Sequence, residues 1–402
     1  MKLILLISGL LLCCFSLLAQ DAQQILQKSF DQCQSVRNGY YEMTRYWKSM
    51  TKKDTSVSSF TCYFKKLDHD TIFSSAFHSQ YFYKGEYTGD ALYTGDDFVT
   101  TSKKDSTARI MSKAKWAEEI NNIAHNYKFY TPFTSTKSSP MLHDSAFLDT
   151  TNSFRILGEE MINGTSCYRI QVNEKAKNDS ADIMQVLRIE YHFWINKADF
   201  LPYQYSTSID IAMNNDTMNQ YELERLNKFD INHLENDSIL TLSSIPNYYQ
   251  LKDYVPWKSP DLLPLDTIAP HWELNSLQEE KVKLKDLKGQ LVLIDFFYKS
   301  CYPCMQALPA LQSLSEKYKG KGLRVIGIDP FDTKEDDMGT FLSKRGITYT
   351  VLMDGKDVAS SYHVSGYPTM YLIDKTGKII FVQEGYGKDV DQTLDEIIAK
   401  HL

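Results

Sequence analysis

Two cysteines separated by two residues, Cys301-Tyr302-Pro303-Cys304, are the side chains in this 402-residue chain best suited to chemistry. Such a pair either cycles between dithiol and disulfide or supplies half of a zinc site. The second use needs another Cys/His pair, and none follows in the sequence. His271, His363 and the remaining histidines show no ligand spacing, so neither a metal nor another cofactor is expected. Upstream runs Leu291-Val292-Leu293-Ile294-Asp295-Phe296-Phe297-Tyr298, apolar without period-two alternation apart from one acid. That pattern predicts a strand covered on both faces. Downstream, Met305 to Tyr318 repeats its leucines at helical spacing. The order strand, turn, helix puts Cys301 at a helix start, where unpaired amides and the dipole favour an anion. Cys301 is therefore the expected nucleophile. Cys304, one turn later on the same face, is expected to attack the resulting mixed disulfide and release the reduced partner.

The chain begins with one early lysine and an apolar run from Leu3 to Ala19, which predicts a cleavable secretory signal peptide ending at Ala19 or Gln20. Cys13 and Cys14 follow Leu12 and Cys13, where a lipoprotein signal would need a small residue. A net charge of -7 argues against nucleic acid, and 43% hydrophobic content supports more than one core. After processing, five cysteines remain: Cys33, Cys62, Cys167, Cys301 and Cys304, too scattered for a disulfide scaffold. Two of the first three can form a structural disulfide, or all three can be buried thiols.

Between Asp21 and Trp257 the chain is rich in Tyr, Phe and Thr, with period-two runs such as Ser59 to Phe64 and Gln80 to Tyr83. These predict antiparallel strands. Lys84-Gly85, Thr88-Gly89-Asp90, Thr94-Gly95-Asp96 and Asn163-Gly164 supply turns, the last joining Phe154–Gly158 to Cys167–Val172 as a hairpin. A long strand is expected from Met184 to Ile195, and helices only over 21–33 and 114–127. Three prolines between Tyr254 and Pro264 mark an extended linker. Beyond it, strands and helices alternate as in an α/β domain: Leu323–Ile328, a helix over 336–345, a short strand near 348–351, Thr369–Ile373, Ile379–Gln383, and a last helix over 390–401. The expected division is a signal peptide (1–19), a β-rich domain (20–257), a linker (258–268) and an α/β domain (269–402).

Two resemblances add to this. Gly158 to Ile170, with Phe193-Trp194-Ile195-Asn196-Lys197-Ala198-Asp199-Phe200-Leu201-Pro202, resembles LolA-type lipoprotein carriers, half-open β-barrels capped by helices. This implies a concave apolar face for a lipid or an extended peptide; the other reading is a self-filled sheet with no ligand. Residues 265–402 resemble the thioredoxin fold, specifically its TlpA-like (ResA-like) exported thiol-disulfide oxidoreductases. The likeness rests on Cys301-Tyr302-Pro303-Cys304 after its strand, Pro309 inside the following helix, Gly366-Tyr367-Pro368-Thr369, and the leading Ala269-Pro270 and Asp286-Leu287-Lys288-Gly289.

The resemblance implies that the loop of Tyr367, Pro368 and Thr369 carries a cis-proline and lies against the cysteines. With Tyr302 and Pro303 it would receive an extended partner segment. Asp295 stands six residues before Cys301, where thioredoxin carries a buried acid. Desolvation would raise its pKa and make it a base, through water, for Cys304. Tyr298-Lys299-Ser300 precede Cys301, where the family usually has a tryptophan just before the first cysteine, and Lys299 either adds positive potential or points to solvent. Pro303 and the absence of a histidine between the cysteines favour a reductase of protein disulfides in the cell envelope, fed by a membrane or periplasmic electron donor. A thiol peroxidase would need threonine at position 298, which is Tyr. Finally, Asp70-Thr71-Ile72, Asp144-Ser145-Ala146, Asp179-Ser180-Ala181, Asp216-Thr217-Met218, Asp237-Ser238-Ile239 and Asp266-Thr267-Ile268 look like bacterial O-glycosylation acceptors, or else like loop-to-strand turns.

Overall fold

The computed structural model describes residues 22–50, 54–126, 133, 151–176, 178, 184–213, 216–256, 258–387 and 389–402. The expected signal peptide with Cys13 and Cys14, the positions Asp21, Tyr127 and Trp257, and the triplets at Asp144 and Asp179 lie outside them.

Helix α1 (22–35) leads into β1 (Asn38–Lys48), β2 (Ser56–Lys66), β3 (Ser75–Tyr83), β4 (Glu86–Tyr93), β5 (Asp97–Ser102) and β6 (Thr107–Ser112). Helix α2 (Lys113–Asn126) follows, then β7 (Ser153–Ile162), β8 (Thr165–Glu174), β9 (Met184–Asn196), β10 (Pro202–Met213), β11 (Asp216–Ile231) and β12 (Gln250–Asp253). These strands form one 12-stranded sheet in the order β12-β6-β5-β4-β3-β2-β1-β11-β10-β9-β8-β7. The β7–β8 hairpin turns on Asn163 and Gly164, both at positive φ, which matches the twist of the flanking strands. Every pairing is antiparallel except β12 with β6. That short strand carries no alternation the sequence could reveal.

One face of this sheet is filled by its own chain. Ala22, Leu26 and Cys33 of α1 and Ile120 and Ala124 of α2 pack with Tyr41, Phe64, Phe77, Tyr93, Phe98 and Phe133 in one buried cluster. Cys33, Cys62 and Cys167 are buried free thiols, so the alternative of a disulfide among them is not realised. Burial pushes Cys33 up to about 12, and Cys62 and Cys167 up to about 11.

The second region opens with a small hairpin of β13 (Glu273–Asn275) and β14 (Lys281–Lys283). It continues through β15 (Leu291–Phe296), α3 (Tyr302–Lys317), β16 (Leu323–Ile328), α4 (Met338–Lys344), β17 (Thr350–Leu352), α5 (Lys356–Ser361), β18 (Thr369–Ile373), β19 (Ile379–Glu384) and α6 (Val390–His401). The five-stranded sheet runs β17-β16-β15-β18-β19, with β15 central, parallel to β16 and antiparallel to β18. All six residues of β15 are buried, because clusters lie on both sheet faces. Helix α4 starts two residues later than expected, since Asp337 sits at φ 50 and caps it. Helix α5, six residues long, is too short to show a helical period and was not expected. The segment before the hairpin lies on this domain: Asp266 N donates to Ile379 O, and Ala269 N to Gly377 O.

Candidate active site

The parity of β15 decides which way its acid faces. Leu291, Leu293 and Phe297 pack in the cluster that holds Cys301, Cys304 and the α3 residues Met305, Leu308 and Leu311, while Val292, Ile294 and Phe296 pack on the opposite face. Asp295 shares parity with the first set, so its carboxyl is directed to the α3 side of the sheet. It is fully buried, neither carboxyl oxygen has a hydrogen-bond partner, and burial pushes its pKa up to about 8.

Cys301 is the N-cap of α3 and is disulfide-bonded to Cys304. Its Sγ accepts a hydrogen bond from the Cys304 amide at 3.2 Å, the donor that a side-chain cap normally takes up at a helix start. The same amide would solvate a Cys301 thiolate. Pro303 falls within the first turn, where a missing N–H costs nothing. Cys304 is completely buried and Cys301 is only 4% exposed, more covered than a nucleophile meeting large partners would suggest. Tyr302 is half-buried and Pro303 exposed beside them.

The Tyr367–Pro368 peptide is cis, as the loop sequence leads one to expect. Thr369 Oγ1 donates to Gly366 O at 2.8 Å, and Gly385 N donates to Pro368 O at 2.8 Å, which ties the loop to β18 and the end of β19. Among the described residues, neither backbone group of Tyr367 is hydrogen-bonded within the chain. The Tyr367 ring meets Tyr298 edge-on at 5.4 Å between centroids and Phe331 at 5.3 Å. Tyr298 is the second residue after the strand that leads to Cys301, so these contacts bring the proline loop and the cysteine turn together.

Residues 265–382 match the AhpC/TSA family. The chain is 33% identical to the thiol-disulfide oxidoreductase ResA of Bacillus thuringiensis over 133 residues, which cover 33% of this chain and 75% of that relative. It is 34% identical to the thioredoxin-like protein YneN of Bacillus subtilis over 131 residues, covering 32% of this chain and 76% of that one. This chain belongs to the ResA-like thiol-disulfide oxidoreductases. A solved thioredoxin domain of a thiol-disulfide oxidoreductase from Bacteroides vulgatus is 28% identical, with a TM-score of 0.32, over 34% of this chain and 99% of that one.

Within this oxidoreductase, Lys299 does not point to solvent. It is 8% exposed; its backbone N–H donates to Asp332 Oδ2 at 2.7 Å, its Nζ donates to the Asp336 carbonyl, and it stacks over Phe341 at 5.3 Å. A buried ammonium needs such partners, and here it anchors the loop after β16.

That loop carries residues the sequence did not flag. Asp329, directly after β16, is buried; its Oδ1 accepts the amides of Phe331 and Asp332, and burial pushes its pKa up to about 7. Phe331, 53% exposed, completes the aromatic ring with Tyr298 and Tyr367. The Asp329-Pro330-Phe331-Asp332 run has turn composition, so its aromatic signal is lost without knowing that β16 ends beside β15.

A second missed residue is Tyr349. Gly327 pairs with Asp295 across β15 and β16, and a Cβ at Gly327 would come within 3.3 Å of the Tyr349 ring. The absence of that Cβ lets the ring lie beside Asp295. Its hydroxyl has no partner, and burial, then the Asp295 charge, push its pKa well above the usual phenol value. Two orphaned buried polar groups, one in β15 and one just before β17 across the intervening β16, are unusual in a native core, where such atoms are nearly always paired.

Proposed function

We propose that the chain is an exported reductase of protein disulfides that works through Cys301 and Cys304, with Asp295 as the proton acceptor for Cys304. The observation that carries this reading is the Cys301 Sγ at the α3 N-cap, hydrogen-bonded to the Cys304 amide, on the sheet face toward which the buried Asp295 is directed. In the dithiol form, the Cys301 thiolate attacks one sulfur of the partner's disulfide. An S–S bond forms between the proteins, the partner's own S–S bond breaks, and its other sulfur leaves as a thiolate. The fraction of Asp295 that is ionised near neutrality then takes the Cys304 proton, and the Cys304 thiolate attacks Cys301 Sγ. The mixed disulfide breaks, the partner leaves with both sulfurs reduced, and the two electrons it gained leave Cys301 and Cys304 joined. A membrane or periplasmic dithiol returns them.

The partner's extended segment would pair with the free backbone of Tyr367 and rest on Pro368, Thr369, Tyr302 and Pro303. The apolar leader at 1–19 supports export to the periplasm or cell envelope, and the division into 20–257, 258–268 and 269–402 completes the reading. A LolA-like half-barrel would hold a lipid or peptide on the sheet face that α1, α2 and the aromatic cluster fill, so that alternative has less support. Insulin reduction, with a dithiol as electron source, tests the proposal: the wild type should accelerate precipitation of the insulin B chain and Cys301→Ala should not. Equal rates for the two proteins would refute it.

A further inference from the structure

The β-rich region touches the redox centre directly, with four methionines beside Ser49 and Gln220. Met50, Met184, Met213, Met218 and Met305 line one cavity of about 240 Å³. The chain has 13 methionines in all, so this concentration is far from their even spread. Ser300 and Tyr302, the two neighbours of Cys301, line the same cavity. Met305 comes from the first turn of α3, one residue after Cys304.

The other four thioethers come from one end of the large sheet. Met50 lies just beyond β1, Met184 opens β9, Met213 closes β10 and Met218 is in β11. Strands β1, β11, β10 and β9 are consecutive in the sheet, and Met213 pairs with Met184 across β10 and β9. Met213 is 2% exposed and packs in the cluster of Cys301, Cys304 and Met305. The sheet end thus joins the buried cluster that encloses the nucleophile.

We propose that this methionine-lined cavity receives an apolar side chain adjacent to the reacting cysteine of a partner protein, so that the β-rich region selects the disulfides on which Cys301 acts. The proposal rests on Cys301 as nucleophile. A partner sulfur that reaches Cys301 places the next residue of its chain only about 3.5 Å further on, at the cavity mouth formed by Ser300 and Tyr302. Thioethers are unbranched, polarizable and apolar, and such surfaces accept apolar and aromatic side chains of varied shape. The volume equals that of about eight waters, enough for a large side chain and more than one ion needs. Soft sulfur ligands also suit Cu(I). Against that use, the positively charged Lys299 is among the lining residues and disfavours a cation there.

The test compares two short peptides that carry one cysteine as a mixed disulfide with thionitrobenzoate, one with Phe and one with Gly beside the cysteine. Reacted with Cys304→Ser protein, the Phe peptide should release thionitrobenzoate about tenfold faster than the Gly peptide, the scale of discrimination that an apolar pocket provides. In protein that also carries Met184→Gln and Met218→Gln, both half-buried positions, the ratio should fall to near one. A ratio near one in the parent, or an undiminished ratio in the triple variant, overturns the proposal. In parallel, the full chain with 13C-methyl methionine, assigned by single Met→Leu changes, is titrated with the same peptides carrying serine for cysteine. The Phe peptide should shift the Met184, Met213 and Met218 methyls and the Gly peptide should not. If neither peptide releases thionitrobenzoate, Cys301 is not the nucleophile, and the methyl shifts alone decide on the cavity. Shifts with Cu(I) alone and none with the Phe peptide would make the cavity a metal site and overturn the proposal.

Discussion

Replacing Asp295 by Asn should change how stability depends on pH by an amount the structure sets. Burial raises this carboxyl from 3.8 to about 8. A raised folded-state pKa gives stability that is complete below the unfolded value and is lost as pH climbs to the folded one. Between pH 5 and pH 7 the unfolded chain has released the proton and the folded chain has kept it, so the folded state binds one proton more and stability falls with pH. Each unit costs about 1.4 kcal/mol, so the two units cost about 3 kcal/mol. The group is fully buried, so solvent screening does not reduce this figure. Urea denaturation of the wild type and of Asp295→Asn at pH 5, 6 and 7 measures it, because every other titrating group is common to both proteins. The wild type should lose about 3 kcal/mol relative to the variant across that range. Parallel stability curves would show that the folded-state pKa of Asp295 is not raised, which would refute its desolvation and leave it too weak a base to hold the Cys304 proton near neutrality.

Asp295→Asn should also slow resolution, so that mixed disulfide accumulates on a non-reducing gel while initial attack by Cys301 is nearly unchanged; a missing proton acceptor commonly costs about a hundredfold or more. Resolution at the wild-type rate across neutral pH would leave Asp295 a core residue only. Native reduced protein treated with iodoacetamide should be modified first at Cys301, whereas Cys33, Cys62 and Cys167, buried and with raised pKa values, should react only in denaturant, as read by peptide mass spectrometry. Thr71 and Ser238 are exposed in two of the Asp-Thr and Asp-Ser triplets, and intact mass of protein from its native envelope should show at least one glycan. A mass equal to the unmodified mature chain would leave these triplets as turns, the role Asp70 already fills by accepting the amides of Ile72, Phe73 and Ser74.

The cysteine turn was legible because its signals are local. A continuous apolar run, a Cys-x-x-Cys and a leucine repeat name strand, turn and helix from fewer than thirty residues, and β16, β18 and α6 follow the same logic. The free state of Cys33, Cys62 and Cys167 was not legible, since spacing says nothing about which strands bring thiols together. The burial of Lys299 was not legible because its partners, Asp332 and Asp336, lie more than thirty residues away in sequence. Tyr349, Phe331 and the methionine cavity share this origin: each depends on strand order, β15 beside β16 or β9 beside β10, and strand order is set by the packing of whole sheet faces. The end of the large sheet against Cys301 could be known only from the fold.

The central claim is that Cys301 attacks and Cys304 resolves, and trapping tests it most directly. Protein carrying Cys304→Ser, expressed in its native envelope and isolated under acid-quenched, alkylating conditions, should carry partner proteins joined through Cys301 and released by dithiothreitol. Protein carrying Cys301→Ser should carry none. Partners joined through Cys304 in the Cys301→Ser protein, with none in the Cys304→Ser protein, would reverse the two roles and contradict the account.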